Sequence, residues 1–492
     1  MDACRNNCES QIADFYNGRS IFVTGATGFV GKALVEKLVR SCPGVQNVFC
    51  LVRPKNGKDV DSRFRDYTKN SVFNRVRKED SRALEKLRLV AGDVLLPNLG
   101  LSEADFEILR QEVSVVFHTA ATIRFNESIG LAVEMNTLGT RRIIDLCKQL
   151  PCLKAFVHTS TAYSNADKRE VLEKVYDPIV DPDTLINFVK NMPEDILNGI
   201  EPVLIGGHPN TYTFTKALAE VIVEREASTL PTAIVRPSIV TAAVKEPQVG
   251  WIDNTSGITG IVMEVSRGTI RSVLCDKNMT VDIIPVDIVV NTLLVAAANL
   301  FWHRPEKIQV YNCTTGTLNP LQWEELRRYI VKAGREVPSR YVQWYPGCTF
   351  RINFLMHRLT QIFLHFLPAY FLDLIMKFQG LKPMMVKICQ KTMKSAKAGE
   401  FFSTHQWNFG ATLMENLDLN LNKTDRELFP VNVKTIGWEE YIKIYVTGIR
   451  KFILKDELSS LTMAQKKLKK LYWGQRIVQC LAIFMFVAFI LK

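Results

Sequence analysis

A tyrosine and a lysine, Tyr212 and Lys216, stand four positions apart in the segment 209–217. On a helix this spacing places both side chains on one face. A lysine ammonium one turn away favours the phenolate and lowers the tyrosine pKa from its ordinary value near ~10. Such a pair also occurs by chance on solvated helix surfaces. Next to a dinucleotide-binding motif, however, it predicts a tyrosine that delivers a proton to a carbonyl oxygen during a redox reaction.

A second hydroxyl is needed to hold the reacting oxygen, and the segment 157–163 offers Ser160 and Thr161. The apolar residues before them predict a strand, so both hydroxyls fall where a strand becomes a loop. In α/β sheets this position faces the ligand crevice. The strand register decides which hydroxyl points inward, and the sequence leaves that choice open. The other hydroxyl would cap the following segment.

Three glycines form the motif that would hold the dinucleotide. Gly25, Gly28 and Gly31 follow an apolar run at 20–23 and precede a helical pattern at 32–39. In this order of strand, turn and helix, the glycines permit a tight turn, close approach to a pyrophosphate and close packing of helix on strand. The spacing is G-x-x-G-x-x-G rather than G-x-G-x-x-G, and an ordinary loop before a helix also uses glycine. The cofactor-binding residues predicted here are Gly25, Thr27, Gly28, Phe29, Val30 and Gly31.

The end of the second predicted strand, at 47–52, indicates which dinucleotide binds. Arg53 stands there, and no carboxylate does. An acidic residue at this position accepts hydrogen bonds from the ribose hydroxyls of NAD, whereas an arginine suits the additional phosphate of NADP. Arg53 therefore favours NADPH, and the alternative is a solvated charge at the end of a strand.

Further apolar runs at 87–90, 113–117 and 155–159 alternate with helical stretches. This alternation predicts an α/β fold with a Rossmann-type, doubly wound parallel sheet, in which ligands lie at the carboxyl ends of the strands. Asp93 and Ala120 follow two of these runs and complete the predicted cofactor-binding residues. Asp93 would hydrogen-bond the adenine or, alternatively, cap its own turn.

The net charge of +12 over 492 residues is concentrated at the carboxyl end. Residues 450–492 include nine basic and two acidic side chains, so the excess belongs to a tail rather than to a nucleic-acid-binding face. Four lysines within 466–470 precede Tyr472 and Trp473, and the stretch 477–491 is apolar except for one glutamine. This order is typical of a segment at an anionic membrane surface.

Residues 477–491 make about 22 Å of helix, against a hydrocarbon core of ~30 Å. A helix that starts at Leu471 would reach about 31 Å if Arg476 extends to the interface. We therefore expect a tail-anchored, cytosol-facing membrane protein, with an interfacial helix as the alternative. Residues 1–18 are polar, and the chain ends in neither S-K-L nor K-D-E-L. The endoplasmic reticulum is the expected membrane, and the peroxisomal membrane and the lipid-droplet surface are alternatives.

Eleven cysteines without paired or metal-ligand spacing predict reduced thiols and no metal site.

Several segments together resemble a known family. They are the glycine motif, His-Thr-Ala-Ala at 118–121, Ser-Thr-Ala-Tyr at 160–163, the tyrosine segment at 209–217 and, further on, 234–240, 284–291, 437–441 and 448–451. They are similar to segments of the extended short-chain dehydrogenase/reductases and, in detail, of the fatty acyl-CoA reductases, over most of the chain. The resemblance implies reduction of a long-chain acyl-CoA to a primary alcohol, through an aldehyde, with two NADPH.

By the same resemblance, Tyr212 is the proton donor, and Lys216 orients the nicotinamide ribose and lowers the tyrosine pKa. Thr161 or Ser160 polarises the carbonyl.

Two other functions are compatible with the residues. One is a membrane-bound sterol or sugar-nucleotide dehydrogenase or epimerase of the same extended fold, and the other is a non-catalytic lipid-binding protein that retains a cofactor site. The long C-terminal region favours the reductase, and the intact tyrosine and lysine argue against a non-catalytic protein.

The expected domains are an N-terminal extension (1–18), a reductase domain with a substrate subdomain (19–345), a mainly helical C-terminal domain (346–456) and a basic linker with a tail anchor (457–492).

Two stretches need a separate explanation. The stretch 352–378 is rich in Phe, Leu and Ile, and Arg358, Gln361 and His365 form a polar stripe at helical spacing within it. This pattern suits a membrane-facing hairpin or a wall of an acyl tunnel, and packing in the core is the alternative. The insertion 164–210, whose prolines mark turns, follows the strand that carries the hydroxyls and is a candidate lid.

Overall fold

The computed structural model describes residues 9–53 and 60–491. The strands, in chain order, are β1 (Ser20–Thr24), β2 (Val48–Val52), β3 (Leu87–Ala91), β4 (Val113–His118), β5 (Ala155–Thr159), β6 (Glu170–Val171), β7 (Thr232–Pro237), β8 (Ile239–Thr241), β9 (Ser272–Leu274), β10 (Thr280–Val281), β11 (Ile283–Pro285), β12 (Gln309–Cys313), β13 (Leu321–Gln322), β14 (Thr349–Arg351) and β15 (Asn408–Phe409).

The helices are α1 (Gln11–Phe15), α2 (Phe29–Ser41), α3 (Val60–Thr68), α4 (Asn74–Glu79), α5 (Glu103–Glu112), α6 (Ile129–Ala132), α7 (Gly139–Cys147), α8 (Pro182–Asn191), α9 (Glu194–Ile205), α10 (Thr211–Glu226), α11 (Ile258–Arg267), α12 (Val286–His303), α13 (Trp323–Glu336), α14 (Phe354–Gln361), α15 (Leu367–Phe378), α16 (Met385–Ala398), α17 (Glu400–Ser403), α18 (Thr412–Leu419), α19 (Lys423–Leu428), α20 (Trp438–Gly448) and α21 (Leu461–Ile490). Wider π-helical turns join α6 to α7 (Val133–Leu138), join α14 to α15 (Ile362–Phe366) and follow α20 (Ile449–Ile453).

The chain forms two compact units, each assembled from segments that are distant in the sequence. Unit 1 comprises the described part of Met1–Gln248, together with Asp282–Asn319 and Trp407–Thr435. Unit 2 comprises Val249–Val281, Pro320–Gln406 and the described part of Ile436–Lys492. The functional domain limits drawn from the sequence stay a prediction, and residues 1–8 of the expected extension lie outside the described residues.

Within the described residues, unit 1 is built on a seven-stranded sheet in the order β12-β7-β5-β4-β1-β2-β3, with every neighbouring pair parallel. The chain starts at β1 near the middle, proceeds outward to β3 and then returns to β4 on the other side of β1. Ligands of such sheets bind where the strand order reverses, at the carboxyl ends of the strands. The sheet therefore directs attention to the loops that follow β1 and β4.

The strands of this sheet read as apolar runs because they are covered on both faces. All residues of β1, β2 and β4 are buried. Large side chains of the core, among them Phe22, Phe156 and Ile234, come from strands that are far apart in the chain. The insertion 164–210 folds mainly into α8 and α9, and its role as a lid stays a prediction.

Unit 2 is mainly helical. Helix α13 packs against α11 and α20. Two short strand pairs, parallel β9–β14 and antiparallel β10–β13, accompany these helices. A buried hydrogen bond of 2.7 Å joins the hydroxyls of Thr259 and Tyr445. The prediction of a Rossmann-type parallel sheet with a mainly helical C-terminal region is thus confirmed.

Among the described residues, two helical stretches are long and apolar enough to cross a membrane. One is α12, most of which is buried inside unit 1. The other is the continuous helix Phe354–Phe378 in unit 2, which is largely exposed. The stretch expected to form a tail anchor lies at the end of the long helix α21. These helices are weak support for a membrane protein by length and composition alone.

Candidate active site

The glycine loop follows β1 and requires glycine at two positions. Gly25 has φ +71°, and a Cβ there would lie 2.6 Å from the backbone nitrogen of Ala120. A Cβ on Gly31 would lie 2.2 Å from the carbonyl oxygen of Gly25. Without a Cβ, Gly25 lets the loop lie directly against the end of β4, and Gly31 lets α2 lie directly against the loop. Larger residues at either position would push the backbone out of this arrangement.

The amino terminus of α2 is open to a ligand. Gly28 is its N-cap, and no side chain caps this helix end. Thr27 and Gly28 are exposed, and Phe29 and Val30 are half-buried. Free N–H groups at the start of a helix favour an anion, and the small residues before it allow close approach. This cradle fits the pyrophosphate of a dinucleotide.

The other predicted cofactor residues lie at the same edge of the sheet. Arg53 is exposed directly after β2, and Ala120 follows β4, where its N–H lies 3.4 Å from the hydroxyl of Thr24. Asp93 follows β3 and is half-buried. Its carboxylate oxygen Oδ1 accepts a hydrogen bond of 3.1 Å from the N–H of Leu95, so it caps its own turn. A contact of Asp93 with adenine stays a prediction.

Tyr212 and Lys216 lie in the first two turns of α10. Asn210 is the N-cap of this helix, and its side-chain oxygen accepts the N–H of Thr213 at 2.9 Å. The Tyr212 ring stacks on Phe125 with a centroid separation of 6.1 Å. One helical turn further on, the side chain of Lys216 is fully buried.

The Lys216 ammonium is held by the strand β5 rather than by solvent. Its Nζ donates to the carbonyl oxygen of Thr159 at 2.7 Å and lies 3.1 Å from His158 Nε2. Burial lowers the pKa of Lys216 to about 7, and the charge of Glu220 partly opposes this effect. The lysine therefore titrates in the physiological range, unlike an ordinary surface lysine.

The pKa of Tyr212 differs from the sequence-based expectation. Instead of being lowered by the lysine, it is raised to about 12, because burial disfavours the phenolate. A hydrogen bond with the Thr161 side chain lowers it in part. The physical reason for the difference is that the described hydrogen bonds of Lys216 go to β5, not to the phenol.

The structure brings Thr161, rather than Ser160, to Tyr212. The Thr161 hydroxyl lies 3.5 Å from Pro237 O and caps the turn at Tyr163 N. The Ser160 hydroxyl is buried and has no hydrogen-bond partner among the described residues. Of the two hydroxyls left open by the sequence, Thr161 is the one that lowers the pKa of Tyr212.

A row of polar residues, missed by the sequence analysis, crosses the sheet below the site. Thr24 of β1 pairs in register with His118 of β4, which pairs with His158 of β5. Thr24 Oγ1 lies 2.7 Å from His118 Nδ1, and the two imidazole rings are 5.3 Å apart. Burial, with the nearby Lys216 charge, lowers the pKa of His118 to about 3 and that of His158 well below its ordinary value. Both rings are therefore neutral at physiological pH.

The tautomer of His118 follows from its neighbours. The hydroxyl of Thr140 donates to the carbonyl oxygen of Asn136 at 2.6 Å, so it must accept from His118 Nε2 at 3.2 Å. This leaves His118 Nδ1 to accept from Thr24. The row thus connects the end of β1, where the glycine loop starts, to the imidazole next to Lys216.

A second network holds the loop after β4 against α10. Asn136, in the π-helical turn between α6 and α7, bonds the N–H of Thr122 at 2.9 Å and the hydroxyl of Thr215 at 3.0 Å. Wider helical turns of this kind are frequent at functional sites. No local sequence pattern marks Asn136, because charged and polar residues such as Glu134 and Thr137 occur beside it.

A buried ion pair supports the same helix. Arg236 of β7 contacts Glu220 of α10 through two bonds, Nε–Oε1 at 2.8 Å and Nη2–Oε2 at 2.6 Å, and both side chains are at most 1% exposed. The Ser164 hydroxyl also donates to Glu220 at 3.0 Å. The pair therefore ties α10 to β7 one turn beyond Lys216.

Two family models match the chain, both described as "Male sterility protein": an NAD-binding domain over residues 23–293 and a second domain over residues 364–456. Fatty acyl-CoA reductase 1 of Rattus norvegicus is 41% identical over 460 residues, which cover 94% of this chain and 89% of the relative. Fatty acyl-CoA reductase 2 of Bos taurus is 35% identical and covers 94% and 90%. The chain belongs to the fatty acyl-CoA reductase family.

Solved structures agree with the fold of the reductase. The terminal R domain of the myxalamid biosynthetic pathway has a TM-score of 0.56 at 18% identity, covering 88% of this chain and 91% of that one. A reductase domain of a nonribosomal peptide synthetase from Mycobacterium tuberculosis has a TM-score of 0.56 at 19% identity, covering 90% and 96%. At these identities the likeness concerns the fold alone.

Family membership confirms the prediction of an oxidoreductase, an alcohol-forming fatty acyl-CoA reductase with a Rossmann-type domain. It also establishes a nicotinamide dinucleotide as the cofactor of the reductase, without distinguishing NADPH from NADH. The catalytic roles of Tyr212, Lys216, Thr161 and Ser160 stay predictions.

Proposed function

We propose that the reductase converts long-chain acyl-CoA thioesters to primary fatty alcohols through an aldehyde, using NADPH. The observation that carries the proposal is the placement of Tyr212 and Lys216 one turn apart at the start of α10, with Lys216 Nζ bonded to the end of β5 and with Thr161 close enough to lower the pKa of Tyr212. Both hydroxyls lie after strands or at a helix start on the side of the sheet where β1 leads into the glycine loop. Relatives named fatty acyl-CoA reductases support the substrate class.

Reduction of a thioester to an alcohol takes four electrons, and each NADPH supplies two, which sets the stoichiometry of the proposed reaction. One thioester, two NADPH and two protons give one alcohol, one CoA thiol and two NADP⁺. When bound, the reduced nicotinamide supplies the hydride for each of the two reductions. The first reduction turns the thioester carbonyl into a hemithioacetal oxyanion, and loss of the CoA thiolate from it gives the aldehyde. The aldehyde is then the substrate of the second reduction.

Thr161 and Tyr212 would act on the carbonyl oxygen. Negative charge develops on this atom in both reductions, and two hydroxyls next to each other can stabilise it through hydrogen bonds. Because the pKa of Tyr212 is about 12, its phenol keeps its proton at neutral pH and can donate it to the alkoxide. Thr161 would polarise the carbonyl without itself losing a proton, and Ser160 is not needed for this step.

Lys216 would stabilise the tyrosinate that remains after proton donation. Its ammonium is held in place by Thr159 and His158, so its orientation does not depend on the substrate. A third N–H bond of the ammonium is left to hold a ribose hydroxyl of the dinucleotide. A cation one helical turn from the phenol would favour the ionised form once the proton has been donated.

We propose that Arg53 selects NADPH over NADH. Its exposed position after β2 is where the additional phosphate of NADP is bound in this type of fold. A lost charge-assisted hydrogen bond costs about 1.5–3 kcal/mol, so Arg53→Ser should raise the KM for NADPH about 10- to 100-fold and leave that for NADH unchanged. The matched control is Arg82→Ser, another exposed arginine of unit 1. Equal effects on both dinucleotides would contradict the assignment.

We propose that α21 anchors the reductase to the cytosolic face of the endoplasmic reticulum. Its 30 residues make about 45 Å of helix, and Trp473, Ile477 and Phe484 are exposed along it. Exposed large apolar side chains after a basic segment suit insertion into an anionic membrane.

Phe484→Lys should release the full-length protein into the supernatant after extraction with alkaline carbonate, whereas Lys466→Glu should not. Retention of the Phe484 variant in the membrane pellet would contradict the anchor. The peroxisomal membrane and the lipid-droplet surface are distinguished by imaging of the intact chain.

The first experiment tests the substrate. Detergent-solubilised protein would be incubated with NADPH and saturated acyl-CoAs of increasing length, while NADPH loss is followed and lipids are extracted for mass spectrometry. Alcohol formed at two NADPH per molecule would support the proposal, and aldehyde alone would contradict the second reduction. Turnover of sterols or sugar nucleotides without turnover of thioesters would replace the proposal with the other enzyme class.

A further inference from the structure

One helix of unit 2 exposes apolar side chains over most of its surface. Helices α14 and α15, with the π-helical turn between them, form a continuous helix over Phe354–Phe378. Its large apolar residues that are more than one-third exposed are Phe354, Leu355, Met356, Leu359, Ile362, Phe363, Leu364, Leu367, Tyr370, Phe371, Leu372, Leu374 and Phe378. We call these residues the apolar face.

The size of the apolar face exceeds what a soluble monomer ordinarily exposes. A half-exposed large side chain presents on the order of 100 Å², so the face amounts to roughly 1,000 Å². The largest exposed apolar patch of a typical soluble monomer is about 300–600 Å². An area of this size indicates a binding surface.

Three polar residues of the same helix are buried in unit 2. His357, Gln361 and His365, four residues apart, are buried. Gln361 Nε2 donates to His357 Nε2 at 2.8 Å, and His357 Nδ1 lies 2.9 Å from the Ser272 hydroxyl. The N–H of Arg271 donates to His365 Nε2 at 2.8 Å. The helix thus buries a polar side, which forms hydrogen bonds inside unit 2, and exposes an apolar side.

This arrangement differs in detail from the stripe expected from the sequence. Arg358 is exposed, and its guanidinium lies over the Phe354 ring at 5.0 Å from the centroid. His357 takes the buried place in its stead. An α-helix completes a turn in 3.6 residues, so side chains spaced four apart gradually move around its surface. The wider π-helical turn opposes this rotation, and residues 357, 361 and 365 therefore stay on one side of the helix.

The neighbouring helix carries positive charge. The exposed lysines Lys387, Lys391, Lys394 and Lys397 lie on α16, and no acidic residue occurs between positions 374 and 399. The carboxylate of Asp373 closes the turn between α15 and α16 by accepting the N–H groups of Met384 and Met385 at 2.8 and 2.7 Å. The apolar face and the lysines therefore belong to one compact helical hairpin.

The same hairpin is connected to the tail helix through one residue. Arg271, whose N–H bonds His365, also places its guanidinium 3.5 Å from Gln475 of α21. Trp473, two residues before Gln475, is exposed. The apolar face is thus attached to unit 2 next to the point where the basic part of the tail gives way to its apolar part.

We propose that the apolar face and the lysines of α16 form a second membrane-binding surface, which lies in the plane of an anionic bilayer at the boundary of headgroups and acyl chains. The helix does not span the bilayer, because its buried polar side contacts protein along its first half. Apolar side chains enter the acyl layer, while the lysines meet anionic headgroups, and the single sign of the charge favours lipid over a protein partner. The inference is independent of the reductase activity.

The test uses the full-length protein in vesicles that contain one-third anionic lipid. A photoreactive benzoylphenylalanine replaces Phe363 or, as a matched control, the equally apolar and 82% exposed Val203 of unit 1. Vesicle-bound protein is isolated by flotation, irradiated and analysed for lipid adducts. We expect at least tenfold more lipid adduct at Phe363 than at Val203. Equal yields, or adducts of Phe363 only with a second copy of the chain, would overturn the proposal.

A second variant separates the charge from the apolar contact. Each lysine near an anionic surface strengthens binding about fivefold. Charge reversal by Lys387→Glu, Lys391→Glu and Lys394→Glu should therefore lower the adduct yield at Phe363 at least fivefold, as should zwitterionic vesicles. An unchanged yield in both cases would overturn the role of the lysines. NADPH oxidation with acyl-CoA in detergent should be unaltered in these variants, which distinguishes failure of the docking surface from failure of the proposed function.

Discussion

Replacing His158 by leucine removes one of the two acceptors that the described structure provides for the Lys216 ammonium. The other is the carbonyl oxygen of Thr159, 2.7 Å from Nζ. A hydrogen bond to a charged group contributes about 1.5–3 kcal/mol, and about 1.4 kcal/mol corresponds to one pH unit. Because burial already lowers the pKa of Lys216 to about 7, we expect the variant lysine to lose its proton about 1–2 pH units lower.

The direction of the pH effect on activity follows from the proposed role of Lys216, which requires the protonated ammonium. The ammonium is present below its pKa and is lost as the pH rises through it. In the wild-type protein, kcat/KM for the dinucleotide should therefore fall as the pH rises above about 7. In His158→Leu this fall should begin about 1–2 pH units lower, so activity at pH 7 should drop about 5- to 50-fold and be partly regained at lower pH.

The assay is the pH profile of kcat/KM between pH 5 and pH 9, with thermal unfolding as a check on the fold. His158→Gln is the matched control, because its amide oxygen can replace Nε2 as the acceptor. We expect the glutamine variant to keep a profile close to that of the wild type. A folded leucine variant with the wild-type profile, or a glutamine variant as impaired as the leucine variant, would refute the role assigned to His158.

Three other substitutions test the site and its support. Tyr212→Phe removes the proposed proton donor and keeps the ring, so turnover should fall about 10²- to 10⁴-fold while dinucleotide binding, followed by fluorescence, is retained. Gly25→Ala places a Cβ 2.6 Å from a backbone nitrogen at φ +71°, so the melting temperature and dinucleotide affinity should both fall. Gly18→Ala, at φ +65° with no atom within 4 Å, should cost only the about 1–2 kcal/mol of a left-handed residue. Glu220→Gln leaves Arg236 buried without a full carboxylate partner, so the free energy of unfolding should fall by about 3–5 kcal/mol in denaturant titrations.

Each of these expectations has a contrary outcome. Wild-type turnover of Tyr212→Phe would mean that another group donates the proton. If Gly25→Ala were no less stable than Gly18→Ala, the close approach of the glycine loop to the end of β4 would be refuted. For the ion pair the control is Glu107→Gln, whose pair with Arg110 is exposed and should matter little. If both variants had the same free energy of unfolding, burial of the Arg236–Glu220 pair would not make its carboxylate more important for stability than the exposed one of Glu107.

Much of the fold was readable because it depends on patterns within short segments. The apolar runs of β1, β2 and β4, each followed by a helical pattern, predicted a parallel sheet that the structure confirms. The association of distant segments was not readable: the C-terminal region contributes segments to both compact units, and no local pattern specifies which segments pack together.

The sequence by itself determined which residue types are available at the candidate site. The glycine motif, Arg53 and the pair Tyr212 and Lys216 are local patterns, and a few residues of helix or turn are enough to bring their parts together. The same holds for the basic and apolar order of the tail. These features could be interpreted without knowledge of the rest of the chain.

Only the tertiary structure decided how the side chains meet. Thr24 and His118 are 94 residues apart and Lys216 and His158 are 58 apart, so their contacts depend on the register of β1, β4 and β5. The choice between Ser160 and Thr161 also required the structure, in which Thr161 lowers the pKa of Tyr212. Burial then set the pKa values of Tyr212 and Lys216, because desolvation depends on everything that surrounds a group and not on its neighbours in sequence.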